Sequence, residues 1–156
     1  MLFQKKESIL YSPLSGKVIP LKDVPDEVFA EEMMGPGCAI YPKENEVLSP
    51  VEGTVTLIAP TLHAIGLTGK DGLEILIHFG LETYKDNETA FHYCINVGDE
   101  VSQGQKLLDL DLDYFKEKEI EICTPIVILN HDRFRITDIT LNKVSKGNVL
   151  LKYKKN

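Results

Sequence analysis

Two histidines close a stretch that reads as a β-hairpin. Residues 61–80 run T-L-H-A-I-G-L-T-G-K-D-G-L-E-I-L-I-H-F-G, with His63 near one end and His78 near the other. Gly69-Lys70-Asp71-Gly72 is strong turn chemistry, flanked by two apolar, β-branched runs. With the turn centred between Lys70 and Asp71, Thr68 pairs with Leu73, Leu67 with Glu74, Ile65 with Leu76, and His63 with His78. Directly opposed residues place their Cβ atoms about 4.5–5.5 Å apart, so this register predicts two adjacent imidazoles. Side chains alternate along a strand. Leu73, Ile75, Ile77 and Phe79 are therefore expected to point inward. Glu74, Leu76, His78 and Gly80 share the other face with Thr61, His63, Ile65 and Leu67.

Neighbouring imidazoles have a restricted chemistry. Like charges placed directly opposite each other are destabilising, so at least one ring should be neutral. Neutral imidazole is the nucleophilic form. Thr61, two residues before His63 and on its face, carries a hydroxyl able to fix the tautomer of that ring. Ile65, Leu67 and Leu76 would ring the pair with apolar surface, which suits a shallow protein-docking disc. A single histidine on a strand is ordinarily a satisfied surface or core residue; it is the pairing that draws attention. Nucleophile, general base and metal ligand all remain open on these grounds.

The elements needed to hold the pair are mostly strands. Short runs punctuated by Gly, Pro, Asn and Asp fall at 17–21, 38–41, 46–49, 53–58, 63–68, 73–78, 106–110, 126–129, 136–141 and 149–153. Helical periodicity is scarce. Asp23-Val24-Pro25-Asp26-Glu27 reads as the start of a short helix ending before Gly35, and 113–119 as another brief turn. Many short strands with regular turns predict an all-β protein, a compact antiparallel sandwich or barrel with one or two helical turns. Ser12-Pro13-Leu14-Ser15-Gly16-Lys17-Val18 recurs as Ser49-Pro50-Val51-Glu52-Gly53-Thr54-Val55, a faint internal repeat.

Composition bounds the function. At 156 residues the chain is long enough for one domain. The expected division is a tail over residues 1–7 and a single domain over 8–156. The formal net charge of −7 argues against nucleic acid, whose phosphates need a basic surface. It permits docking to a partner with a basic face. Cys38, Cys94 and Cys123 form no CxxC pair, which fits reduced thiols in a cytoplasmic protein. There is no apolar leader and no run approaching the ~20 residues of a spanning helix. A role in a membrane process would be exercised through a membrane partner.

The residues also carry a family resemblance. Val24-Pro25-Asp26-Glu27-Val28-Phe29-Ala30-Glu31 is similar to the V-P-D-x-V-F-A-E segment of glucose-type enzyme IIA of the bacterial phosphoenolpyruvate:sugar phosphotransferase system. Ser49–Val55 resembles its A-P-V-x-G-T-[VI] segment, and Thr61-Leu62-His63-Ala64 its T-x-H-A. Gly72–Thr83 resembles G-[VL]-E-[LI]-[LF]-[VI]-H-[FIL]-G-[ILM]-[DE]-T, the most specific piece. Val97-Gly98-Asp99-Glu100-Val101 and Thr124–Ile128 also match. The likeness runs in order along nearly the whole chain.

The resemblance implies an antiparallel β-sandwich of the duplicated hybrid type. It implies a phosphoryl carrier in which Nε2 of His78 takes phosphate from phosphohistidine on the carrier HPr. The phosphate then passes to a cysteine of a sugar-specific EIIB domain. His63 would hydrogen-bond the phosphoryl oxygens, with Thr61 orienting it. The Gly80 carbonyl would hold the Nδ1 proton of His78, and Glu82 would face basic residues of HPr. No metal or other cofactor is implied. The same scaffold also permits a regulatory binding protein whose phosphorylation state controls transporters or metabolic enzymes. Pro36, Leu76 and the run Tyr84–Ala90, where the family pattern is V-x-L-x-G-x-G, depart from the usual sequence and bear on partner choice. A LytM-type zinc peptidase would need a His-x-His that is absent. A biotinyl or lipoyl carrier would need a lysine in a setting that Lys70 lacks.

Overall fold

The computed structural model describes residues 6–156, so most of the tail expected over residues 1–7 lies outside the described residues. The strands are β1 (Ser8–Tyr11), β2 (Gly16–Pro20), β3 (Gly37–Pro42), β4 (Glu46–Leu48), β5 (Gly53–Ile58), β6 (Ala64–Gly69), β7 (Glu74–His78), β8 (Phe91–Tyr93), β9 (Glu100–Val101), β10 (Lys106–Leu110), β11 (Thr124–Ile128), β12 (Phe134–Ile139), β13 (Asn142–Val144) and β14 (Val149–Lys155). Short helices interrupt them: a 3-10 turn at Leu21–Asp23, then α1 (Glu27–Ala30), α2 (Asn87–Ala90) and α3 (Leu112–Glu117). The largest sheet has eight strands in the order β13-β2-β3-β11-β7-β6-β5-β9. Two three-stranded sheets, β1-β14-β12 and β4-β10-β8, complete the fold. Each strand pair is antiparallel, and the large sheet ends on different strands, so it is open rather than a closed barrel.

The central strands are buried on both faces, which is why they read as nearly continuous apolar runs. Cys38, Ile40, Ile65, Leu67, Ile75, Ile77, Ile126 and Ile128 enter the main core. Residues next to them on the same strands, Ala39, Ala64, Leu76 and Val127, enter a second cluster on the opposite face with Leu21, Val24, Phe29 and Cys123. Period-two alternation thus serves two cores at once. The cover over the second face is the segment from Leu21 through α1. That segment is held by Asp26, which caps the helix by accepting from the Val28 N–H at 2.9 Å.

The sequence repeat is a structural device. Ser12 and Ser49 are both buried, and each donates its hydroxyl to the carbonyl two residues on, at 2.7 Å in both cases. The two segments also bind each other, through Tyr11 N to Pro50 O at 3.1 Å and Leu48 N to Pro13 O at 2.9 Å. Gly16 and Gly53, the glycines of the repeat, each let a neighbouring strand carbonyl approach so closely that a Cβ would lie within 2.0 and 2.1 Å of it.

The hairpin register differs from the expected one by a residue. Gly66 opposes Leu76, Leu67 opposes Ile75, Thr68 opposes Glu74, and it is Ala64 that opposes His78. The turn is the cause. The Gly69 N–H donates to Leu73 O at 2.8 Å and the Gly72 N–H to Gly69 O at 2.9 Å, with Gly72 at φ 94°. That is a three-residue loop, a type I turn followed by a left-handed glycine, not a two-residue turn. The shift turns Ile65 and Leu67 to the opposite face from His78, where both are fully buried. They cannot belong to a docking surface. Leu76 does share the face of His78, but at 6% exposure it lies beneath the α1 cover.

The same turn is tied to the far sheet. Tyr153 of β14, itself buried, donates its hydroxyl to Asp71 Oδ2 at 2.6 Å, while Asp71 Oδ1 accepts from the Leu73 N–H at 3.1 Å. Tyr153→Phe is expected to lower stability by about 2 kcal/mol, as for a hydrogen bond to a charged group. Urea unfolding should show this as a lower midpoint with an unchanged slope.

Candidate functional site

His78 is the last residue of β7 and continues the outer face after Leu76. His63 is not in a strand. It is the last residue of the loop between β5 and β6, where the Leu62 N–H donates to Ala59 O at 2.7 Å, the Ala59 N–H to Ala64 O at 3.0 Å, and Leu62 adopts φ 64°. Its backbone carbonyl still accepts from the Phe79 N–H at 2.7 Å. Strand alternation would have put its ring on the Phe79 face, inside the core; the loop releases it from that rule. The ring instead meets His78 edge-on, with centroids 4.7 Å apart and planes at 82°. The expected adjacency holds through a different geometry.

Both rings are fixed at Nδ1. His78 Nδ1 lies 2.6 Å from the Gly80 carbonyl oxygen. A carbonyl only accepts, so Nδ1 carries the proton and Nε2 carries the lone pair. His63 Nδ1 lies 2.5 Å from Thr61 Oγ1, and a hydroxyl can either donate or accept. Neither Nε2 atom has a hydrogen-bond partner among the described residues. Gly80 adopts φ 80°, and a Cβ there would sit 2.4 Å from Thr83 Cγ2. A glycine is therefore required for the carbonyl to turn back onto His78.

Sequence reasoning missed Phe29, whose ring packs on His78 at 5.1 Å. A four-residue helix offers too little periodicity to assign its faces. The exposed apolar residues on and just after α1 are Val28, Met33 and Met34. Glu82 is exposed and lines a cleft of about 420 Å³ with Pro25, Asp26, Leu81, Ile120 and Glu121. Asp26 is close enough for its charge to act on His78. The edge of the site is thus acidic on the side of Asp26 and Glu82. His92 and His131 are exposed and apart from the pair, with His92 Nε2 against Thr89 O at 3.1 Å. Cys38 and Cys123 are buried, whereas Cys94 is exposed. No group of three or more metal-ligating side chains occurs among the described residues.

Burial pushes both imidazoles below their ordinary value. For His63 the charge of His78 adds to the effect and hydrogen bonding to Thr61 opposes it. For His78 the Gly80 hydrogen bond and Asp26 oppose it. Both rings are accordingly neutral at neutral pH. The unfolded rings take up protons near 6.5, which the folded rings resist. Their contribution is thus intact above 6.5 and is lost as pH falls through the lower folded values. Imidazole proton resonances should titrate with midpoints below 6.5 for both residues, and urea stability should fall between pH 7 and pH 5. Midpoints above 6.5 would contradict the burial account.

The molecule is an antiparallel sandwich that presents two neutral histidines in edge contact, each engaged at Nδ1. The model of the phosphoenolpyruvate-dependent sugar phosphotransferase system EIIA 1 family matches residues 8–134, and the chain belongs to that family. Glucose permease IIA from Mycoplasma capricolum superposes with a TM-score of 0.88 at 36% sequence identity, over 97% of this chain and 99% of that one. Two proteins of Staphylococcus carnosus (strain TM300) are similar in sequence. The glucoside-specific EIICBA component of a phosphotransferase system is 44% identical over 144 residues, and a glucose-specific EIICBA component is 42% identical over 143. Each alignment takes in 92% of this chain but 21% of the relative. No helix among the described residues is long and apolar enough to cross a membrane.

Proposed function

We propose that this protein carries a phosphoryl group on Nε2 of His78 between HPr and an EIIB domain of a sugar permease. One observation carries the reading: two imidazoles in edge contact, each engaged at Nδ1, with the Nε2 atoms left unpartnered. The Nε2 lone pair of His78 attacks phosphorus in line. The N–P bond to the donor imidazole breaks as the new N–P bond forms, and the proton stays on Nδ1, donated to the Gly80 carbonyl. Positioning and charge stabilisation supply most of the catalysis for such a loose transfer. His63 donates its Nε2–H to the phosphoryl oxygens while Thr61 donates to its Nδ1.

The site edge fits the partners. Phe29 packs on the His78 ring, and Asp26 and Glu82 would face basic side chains of the donor. The relatives named EIICBA join this portion to EIIB and EIIC in one polypeptide, which supports an EIIB cysteine as the acceptor. The protein would act on the cytoplasmic side, meeting the membrane only through the permease. The test is incubation with phosphoenolpyruvate, enzyme I and HPr, followed by mapping of the acid-labile phosphate. His78 is the expected position, and adding an EIIB domain should discharge it. Phosphate found at another residue overturns the assignment. Phosphate that stays on His78 in the presence of several EIIB domains, while binding to other proteins changes, favours the regulatory role instead.

A further inference from the structure

The segment that supplies the Gly80 carbonyl has no strand partner, so something else must hold it. Between the end of β7 and α2 two buried residues, Thr83 and Asp86, anchor a run whose other side chains, Glu82, Tyr84 and Lys85, are exposed. Thr83 donates its hydroxyl to Phe79 O and packs its methyl against Gly80. The Asp86 N–H donates to Thr83 O at 3.0 Å, and the Asp86 carbonyl accepts from the Ala90 N–H at 3.0 Å. The carboxylate of Asp86 points away from the site toward α3. Its Oδ1 accepts from the Tyr114 hydroxyl at 2.6 Å and from Lys118 Nζ at 2.9 Å. Lys118 also lies over the Tyr114 ring, 4.6 Å from its centroid.

A carboxylate is almost never this buried without paired donors, and Asp86 is 6% exposed with two of them. From this we infer that Asp86, Tyr114 and Lys118 form a clasp that positions the Gly80 carbonyl and thereby fixes the tautomer of His78. The path is short and continuous. Helix α3 holds Asp86, Asp86 holds Thr83, Thr83 holds the Phe79–Gly80 peptide, and Gly80 holds Nδ1. A slackened clasp lets the carbonyl swing, and a neutral imidazole with no acceptor at Nδ1 is free to move its proton to Nε2. Nε2 would then have no lone pair to offer. Asp86, Tyr114 and Lys118 are positioning residues and touch no reacting atom.

The consequence for transfer rests on the phosphoryl-carrier reading, whereas the tautomer effect does not. The test uses Asp86→Leu, which removes both hydrogen bonds, and Tyr114→Phe, which removes one and keeps the ring contact with Phe115. Two-bond proton–nitrogen correlation spectra of the labelled proteins, recorded above the imidazole titrations, report the tautomer directly. In the wild type the His78 proton should reside on Nδ1. Both variants should show a mixture, larger in Asp86→Leu. The rate constant for accepting phosphate from phospho-HPr should fall on the order of 10- to 100-fold in Asp86→Leu with KM unchanged. A folded variant, checked by circular dichroism, that keeps the wild-type tautomer overturns the proposal. If Asp86→Leu does not fold, Tyr114→Phe decides by the same spectrum. A wild type with the expected tautomer that accepts no phosphate would overturn the carrier reading and leave the clasp standing.

Discussion

His78→Ala is expected to abolish acid-labile labelling from phosphoenolpyruvate, enzyme I and HPr, with no rescue by His63. The reason is positional. His78 offers a bare Nε2 because its Nδ1 faces an obligate acceptor, the Gly80 carbonyl, at 2.6 Å. His63 faces a hydroxyl, which imposes no tautomer by itself. Its ring also comes from a loop residue rather than from the end of a strand, and it meets the edge of His78 rather than taking that ring's place. Without an enforced lone pair at the attack position, the transfer loses both its nucleophile and the alignment that makes it effectively unimolecular. Alanine should cost little in stability, because the ring is only half buried and Phe29 can settle toward the gap. The measurement is phosphate incorporation over time on folded protein. A fully labelled His78→Ala protein would sink the carrier reading.

Much of this site can be read from sequence because the chemistry is compressed into twenty residues, 61–80. The apolar runs on either side of Gly69–Gly72 declare two strands. The family pattern around His78 is specific enough to name the family that the chain belongs to. What escapes is geometry decided by one backbone angle. A left-handed Gly72 lengthens the turn to three residues, moves every partner by one, and sends Ile65 and Leu67 into the core. Leu62, also left-handed, frees His63 from the strand rule and returns its ring to His78. The two departures cancel at the histidines, whereas Ile65 and Leu67 feel only the first and are buried by it. Apolar composition could not have exposed the error, since central strands buried on both faces have no polar side to serve as a reference. β1, β8, β9 and β13 escaped for a simpler reason. They hold two to four residues each, too few for alternation to stand out.

Exchanging His63 for glutamine should separate the two half-reactions: phosphate should still arrive on His78 and should leave it slowly. On arrival, one neutral imidazole replaces another at phosphorus, and no second anion approaches the phosphoryl group. An amide N–H can supply the hydrogen bond that this step needs. On departure the acceptor is a thiolate, so one anion must approach a group that already bears negative charge. Beside that group the suppressed basicity of His63 recovers, because an opposite charge close by favours the protonated ring. The imidazolium then offsets the repulsion, and an amide carries no charge with which to do so. Loss of one such stabilising donor typically costs on the order of 10²–10³ in rate. Single-turnover discharge to an EIIB domain should slow by that order in His63→Gln, while loading from phospho-HPr stays within about tenfold, the equivalent of 1.4 kcal/mol. Equal losses in both directions would mean that His63 only shapes the site, and that its charge plays no part in passing the phosphate on.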